Sequence, residues 1–338
     1  MVRKMEAKVL SFRELYRKHF VDDEPTKFLV LWHYTNADGL CGIIRNRPDE
    51  LGNLHFWFTR SDCLNDTSEG VHILSTYQKV CNDLLNEGRI SAEFYNHIKN
   101  EQVPISQFVN FPIPSKEGFA HESVLDCVPC DAYICSFSLK EDSLDMWRYY
   151  SKGNSGYGLK CYSLLFDEYK EYEYSDYNED AVFSMIRSYP VIYDNAQKEK
   201  VLKEIITDTF SVYEISNEPK NERIKDALGL IRYALKNFQF QFKHECYSTE
   251  QEYRFVFYLP KDKPILLENK LPDVNFRTQN GILVPYIDVV VKRGSSYLDE
   301  ILISPFIESP SVKTTTTDYL QQCRFKGKVR ISDLPVRK

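Results

Sequence analysis

Glu250 to Leu259 reads EQEYRFVFYL, and its alternation decides the fold. Successive side chains on a strand point to opposite faces. One face carries Tyr253, Phe255, Phe257 and Leu259, a core face. The other carries Glu250, Glu252, Arg254, Val256 and Tyr258, which lines up two carboxylates and a guanidinium. Asp131 to Leu139 (DAYICSFSL) splits the same way. Tyr133, Cys135, Phe137 and Leu139 share one face, while Ala132, Ile134, Ser136 and Ser138 share the other. Lys27 to Thr35 (KFLVLWHYT) is a third strand by its β-branched and aromatic run. His33 ends it on the face of Leu29 and Leu31, with Thr35 next along.

Helices and further strands surround these three. The spacing of Val9, Leu10, Phe12, Leu15 and Tyr16 predicts a helix over Glu6 to Phe20. Asn36 caps a short helix ending near Asn46, and Leu54 to Thr59 is a strand. Asn65 to Asn86 and Ser91 to Asn100 read as helices, the former opening on Asp66 and Glu69 at capping-box spacing. Val103 to Val128 is Pro-rich and loop-like, an insertion or flap. Asp142 to Ser151 is a helix, with Leu144, Trp147 and Tyr150 on one side. Gly158 to Tyr162 and Ser188 to Tyr193 are strands, followed by two long helices, Gln197 to Tyr213 and Asn221 to Phe242. Ile282 to Lys292, Glu300 to Ser304 and a stretch near Val329 complete the strands, with a helix after Ser311. Strands and helices mix without regular βαβ alternation, which predicts an α+β fold.

Composition narrows the function. The chain has 338 residues, 43% hydrophobic, 27% charged and 14% aromatic, enough to bury a core and unlike a disordered chain. No run of about 18 apolar residues is present, so no membrane span is expected. The first ten residues lack an apolar secretory core, and nine scattered cysteines read as free thiols in a reducing cytoplasm. The net charge of −6 does not favour bulk nucleic-acid binding, although Lys198 to Lys203 is locally basic. Cys127-Val-Pro-Cys130 is a lone CxxC without the second pair that a structural zinc site uses, so no metal is assigned. Walker A, dinucleotide, H-E-x-x-H and G-x-S-x-G motifs are missing.

Each polar mark has an ordinary explanation by itself. A strand-end His is commonly structural, Ser-x-Ser a small solvated face, Glu-x-Glu-x-Arg a cross-strand charge ladder, and Trp147 with Tyr150 core packing. Their chain order is more informative. His33-Tyr34-Thr35 early, Ser136 and Ser138 in the middle, and Glu250 with Glu252 late resemble ADP-ribosyltransferase folds of the His-Ser-Glu type. The chain also resembles a bacterial family catalogued as a domain of unknown function. The shared pattern is LWHYTNADGLCGII, CLNDTSE, YICSFSLKEDSLDMWRYYSKGNSGYGLKCY, STEQEYRFVF, EILISP and SDLPVR, over about residues 28 to 337.

The resemblance implies one ADP-ribosyltransferase-like domain over residues 1–338. It would have a split mixed or antiparallel sheet and helical insertions near 65–128 and 195–245. It implies NAD as substrate. Glu252 would bind the ribose 2′-hydroxyl and stabilise the oxocarbenium, while Glu250 would orient or deprotonate the acceptor. His33, with Tyr34 and Thr35 beside it, would hold a ribose hydroxyl or a phosphate-side group. Ser136 or Ser138 would contact the nicotinamide amide or brace Glu252. Tyr34, Trp147 or Tyr150 would stack on the ring, and Arg148 would neutralise the pyrophosphate. The implied protein is a cytoplasmic toxin or phage-defence effector, with a nucleic-acid or protein acceptor and room for an antitoxin partner. Transfer to water would make it a glycohydrolase. Two alternatives stay open: a non-enzymatic sensor on the same fold, and a metal-dependent nuclease using Glu250, Glu252 and Asp66. Arg254 stands beside the glutamate pair, and an ion pair to Glu252 would mark that position as structural.

Overall fold

The computed structural model describes residues 11–20, 28–64, 70, 72–102, 114–115, 118–119, 130–151, 155–169, 172–174, 181–183, 186–261, 271–279 and 281–336. In chain order the helices are α1 (Phe12–Phe20), α2 (Ala37–Ile43), α3 (His72–Asn86), α4 (Ala92–Ile98), α5 (Leu144–Tyr150), α6 (Asn195–Ile215), α7 (Lys220–Phe238) and α8 (Val312–Gln322). The strands are β1 (Val30–Thr35), β2 (Leu54–Arg60), β3 (Pro114–Ser115), β4 (Gly118–Phe119), β5 (Cys130–Ser138), β6 (Tyr157–Tyr162) and β7 (Tyr172–Tyr174). They continue with β8 (Ala181–Phe183), β9 (Ile186–Pro190), β10 (Glu252–Pro260), β11 (Val274–Gln279), β12 (Ile282–Val291), β13 (Glu300–Ile303) and β14 (Lys328–Ile331). The fold is α+β. Most of Val103 to Val128, together with Asp66, Glu69 and Cys127, lies outside the described residues.

The chain divides into two compact units. Unit 1 comprises residues 1–26, 68–104 and 192–245 and is helical. Its core joins Ile73, Tyr77 and Leu84 of α3, Phe94 and Ile98 of α4, Leu202 and Ile206 of α6, and Ile231 and Leu235 of α7. These recur four or seven residues apart, the spacing of one helix face. Asp194 caps α6 by accepting from the Gln197 amide at 2.6 Å.

Unit 2 comprises residues 27–67, 105–191 and 246–338 and holds the large sheet. Strand pairing is antiparallel except for β13 and β14, which run parallel. The core face read on β10 is buried: Tyr253, Phe255, Phe257 and Leu259 lie in one cluster with Tyr133, Cys135 and Phe137 of β5, while Leu139, placed on that same β5 face, is exposed. The opposite face differs from a solvated ladder. All of β10 is buried, including Glu252 and Arg254. Glu250 also falls outside the strand. It ends a 3-10 turn, and Gln251 between it and Glu252 has φ of 42°.

The edge of β5 organises the site. On one side β5 makes a full ladder with β10, from Glu252 opposite Ser138 to Pro260 opposite Cys130. Its other side is divided. β1 meets it at one pair, Trp32 with Ser138, and β2 joins it only at Thr59–Ile134 and Arg60–Tyr133. β1 instead follows β6, and β2 follows β12. The sheet is thus split over Cys135 to Phe137, with β1 and β2 as two arms leaving a common strand. Asn36 starts α2 at the end of β1, accepting from the Gly39 amide at 2.8 Å.

Candidate functional site

The split opens a cavity of about 530 Å³ within unit 2. His33, Tyr34 and Thr35 line it from β1, Trp57 and Thr59 from β2, and Ser136 from β5. Tyr150 enters from α5, Glu250 from the 3-10 turn before β10, Glu252 from the start of β10, and Arg277 from β11. In an unbroken sheet His33 and Ser136 would project to opposite faces. His33 shares the side of Leu31, whereas Ser136 shares that of Glu252 and Arg254. The divergence of β1 from β5 lets one cavity reach both sets.

His33 Nδ1 lies 3.1 Å from the carbonyl oxygen of Ser136, on the β5 stretch without a ladder partner along that edge. A carbonyl only accepts, so Nδ1–H donates and Nε2 is the acceptor nitrogen. Phe56 and Phe137 pack against the ring at centroid distances of 5.5 and 5.0 Å. Burial among them lowers the imidazole pKa to about 4, opposed weakly by the Ser136 bond. The ring is therefore neutral at pH 7. Tyr34 lines the cavity while its hydroxyl donates to the Lys140 carbonyl at 2.9 Å and accepts from the Ser143 amide.

The two glutamates have different surroundings. Glu252 is gripped by Arg254 in a buried fork, Nε to Oε1 at 2.6 Å and Nη2 to Oε2 at 2.9 Å. Such a bidentate pair fixes the carboxylate's orientation. Glu250 accepts at Oε1 from the Tyr150 hydroxyl at 3.0 Å, and its backbone carbonyl accepts from Ser138 Oγ at 2.6 Å. Burial, and then the charges of Glu250 and Glu252, push the Tyr150 phenol well up, so it remains a donor. Ser138 braces the Glu250 backbone and does not line the cavity.

Two further residues expected at the cofactor do not line the cavity. Trp147 is fully buried with Trp32, Tyr34, Met146 and Leu302; its indole N–H donates to Asp142 at 2.9 Å and it meets Tyr34 edge-on at 4.8 Å. Arg148 is exposed on α5. Helical spacing explains both, because Trp147 packs inward and its neighbour turns out. Arg277, which the sequence reading did not single out, does line the cavity. Its Nη2 donates to Thr59 Oγ1 at 2.8 Å, and the guanidinium lies 5.6 and 5.7 Å from the ring centroids of Trp57 and Tyr286. The signal was present: an Asn-Gly pair between two alternating runs is a sequence mark of a hairpin, and Gln279 pairs with Ile282.

Among the described residues, no three His, Cys, Asp or Glu side chains converge on a metal-binding arrangement. No helix among them is long and apolar enough to cross a membrane. The profile of a family described as "Protein of unknown function (DUF2971)" matches residues 146–255. That segment carries Tyr150, Glu250, Glu252 and Arg254. No curated protein and no solved structure matches the chain.

Proposed function

We propose that the cavity binds NAD and that the protein is a cytoplasmic NAD-dependent mono-ADP-ribosyltransferase. The supporting observation is that one cavity, opened by the split in the sheet, collects His33, Tyr34, Thr35, Ser136, Tyr150, Glu250 and Glu252. Its volume lies in the range of about 300–1,000 Å³ typical of ligand pockets. A toxin or phage-defence role rests on the sequence resemblance alone.

The chemistry needs no general acid. The nicotinamide–ribose C–N bond breaks heterolytically, and its electron pair goes to the ring nitrogen, which leaves as neutral nicotinamide. Positive charge develops on the ribose, where a nearby carboxylate stabilises it. An acceptor hydroxyl, amine, carboxylate or water then bonds to the anomeric carbon and loses any proton to a base. Glu250 is the carboxylate best suited to face the reacting sugar. Both Glu252 oxygens accept from Arg254 in the buried fork, which holds that carboxylate in place, while Glu250 Oε1 accepts from the Tyr150 hydroxyl at the cavity wall. Glu252 serves as a positioning residue that orders the start of β10. Neutral His33 suits a ribose hydroxyl, which donates to Nε2, better than a phosphate. Tyr150 and Ser136 complete the nicotinamide end.

The buried Glu252–Arg254 pair also favours a second reading, a sensor that binds NAD without turnover. One experiment separates the two. Purified protein is incubated with labelled NAD and with protein, RNA or DNA fractions, and nicotinamide release and label transfer are followed. The transferase reading expects both in the wild type and a loss of about 100-fold or more in kcat for Glu250→Gln. Saturable NAD binding without release would establish the sensor instead. Neither binding nor consumption would overturn both.

A further inference from the structure

We infer that Arg277 is the anion anchor of the cavity and grips a diphosphate through its guanidinium fork. The inference deepens the nucleotide reading of the site and rests on it. Among the described residues no carboxylate lies within ion-pair distance of Arg277. Arg45, Arg60, Arg232, Arg254 and Arg330, by contrast, each hold a carboxylate at 3.1 Å or less. The Arg277 side chain is only partly exposed, yet neutral groups are its partners. Nη2 donates to Thr59 Oγ1 at 2.8 Å and to Gln279 Oε1 at 3.4 Å, and two aromatic rings flank the guanidinium. A guanidinium has five N–H donors. These contacts use one nitrogen and fix the plane, and the side chain as a whole lines the cavity.

A cation held by neutral neighbours at a cavity wall is set for an anion from outside. Its planar fork matches two phosphoryl oxygens at once. Removal from water also lowers its pKa somewhat, and a bound anion would reverse that tendency. Arg148, the sequence candidate for this task, stands exposed away from the cavity. β11 and β12 form the hairpin that carries Arg277, and β12 is tied to β2 over six residue pairs. The anchor therefore sits on the β2 arm of the split, while His33 sits on the β1 arm. A dinucleotide lying along the split would meet a hydroxyl acceptor on one arm and a phosphate clamp on the other.

The test is calorimetric titration of wild type, Arg277→Gln and Arg277→Lys with inorganic pyrophosphate, ADP-ribose and adenosine, with melting temperatures as a folding control. Arg277→Gln should weaken pyrophosphate and ADP-ribose tenfold or more. Arg277→Lys should restore part of that loss, and adenosine should be unaffected. Unchanged pyrophosphate and ADP-ribose affinity in a folded Arg277→Gln variant would overturn the anchor and leave the NAD reading standing. Arg277-dependent binding of pyrophosphate, with no binding of ADP-ribose, would support the anchor and remove the NAD reading. A wild type that binds none of the three would overturn both.

Discussion

Arg254 sets Glu250 and Glu252 apart although only one residue separates them. It is buried at 1% exposure, and its guanidinium fork is matched by Glu252. Glu252→Gln would remove the charged acceptor from the buried fork with Arg254, a change that costs about 3–5 kcal/mol. Glu250→Gln keeps an amide oxygen that can accept from the Tyr150 hydroxyl and should cost less. Urea unfolding of the two variants should show that difference. A stable, inactive Glu252→Gln protein would instead make Glu252 the reacting carboxylate. His33 supplies a pH test. Its pKa in the fold is about 4, below the ordinary 6.5, so the unfolded chain binds the proton more tightly. The stability from the neutral ring is complete above pH 6.5 and is lost as pH falls through 4, by about 3 kcal/mol in all. His33→Gln should flatten the stability profile over that window; an unchanged slope would show that other groups set it. His33, Ser136 and the glutamates were legible because each interrupts an apolar strand. The burial of Glu252 with Arg254 was not, because alternation alone does not distinguish a solvated face from a covered one.

Elements turn these residues into a site through the divergence of β1 and β2 from β5. α2 bridges the two arms, and its fit depends on Gly39. A Cβ there would stand 1.9 Å from Thr35 Oγ1, at the cavity wall. Gly39→Ala must therefore turn the Thr35 side chain or lift the first turn of α2. Overpacking of this kind costs about 1–3 kcal/mol. It should also weaken ADP-ribose binding severalfold, whereas Gly229→Ala, with open space around the Cβ position, should leave binding unchanged. Equal affinity in Gly39→Ala would show that Thr35 is not part of the binding wall. The strands were readable to within a few residues where apolar and polar positions alternate, as in β5 and β12. The start of β10 was misread because Gln251, at φ of 42°, breaks the extended backbone between the glutamates. β11 is a short run with only two apolar positions, Val274 and Phe276, both exposed in the fold, and its one clear mark was the Asn-Gly pair that follows it. Nor does periodicity show a split sheet, since pairing between distant strands leaves no local trace.

At the scale of the whole molecule, charge bears on the acceptor. The chain carries a net charge of −6, and the basic run Lys198 to Lys203 is not a free cationic surface. Lys198 is fully buried, and its ammonium meets Lys243 O at 2.7 Å, Asn195 Oδ1 at 3.1 Å and His72 Nε2 at 3.2 Å. Three donors with three neutral partners make it a structural pin, and burial lowers its pKa. Lys203 is paired with Glu87 at 3.1 Å and lies 3.8 Å from Asp83. A nucleic-acid acceptor would need phosphate contacts from Lys or Arg, and each releases counterions, so binding falls steeply with salt. An acceptor bound without such contacts escapes that penalty. The expected outcome is label transfer to the protein fraction, with the rate at saturating NAD changing less than about threefold between 50 and 200 mM salt. Transfer to RNA or DNA that drops by orders of magnitude over the same range would reverse the assignment. The positive surface would then lie elsewhere than the two ends of the α6 run, where Lys198 and Lys203 are already engaged.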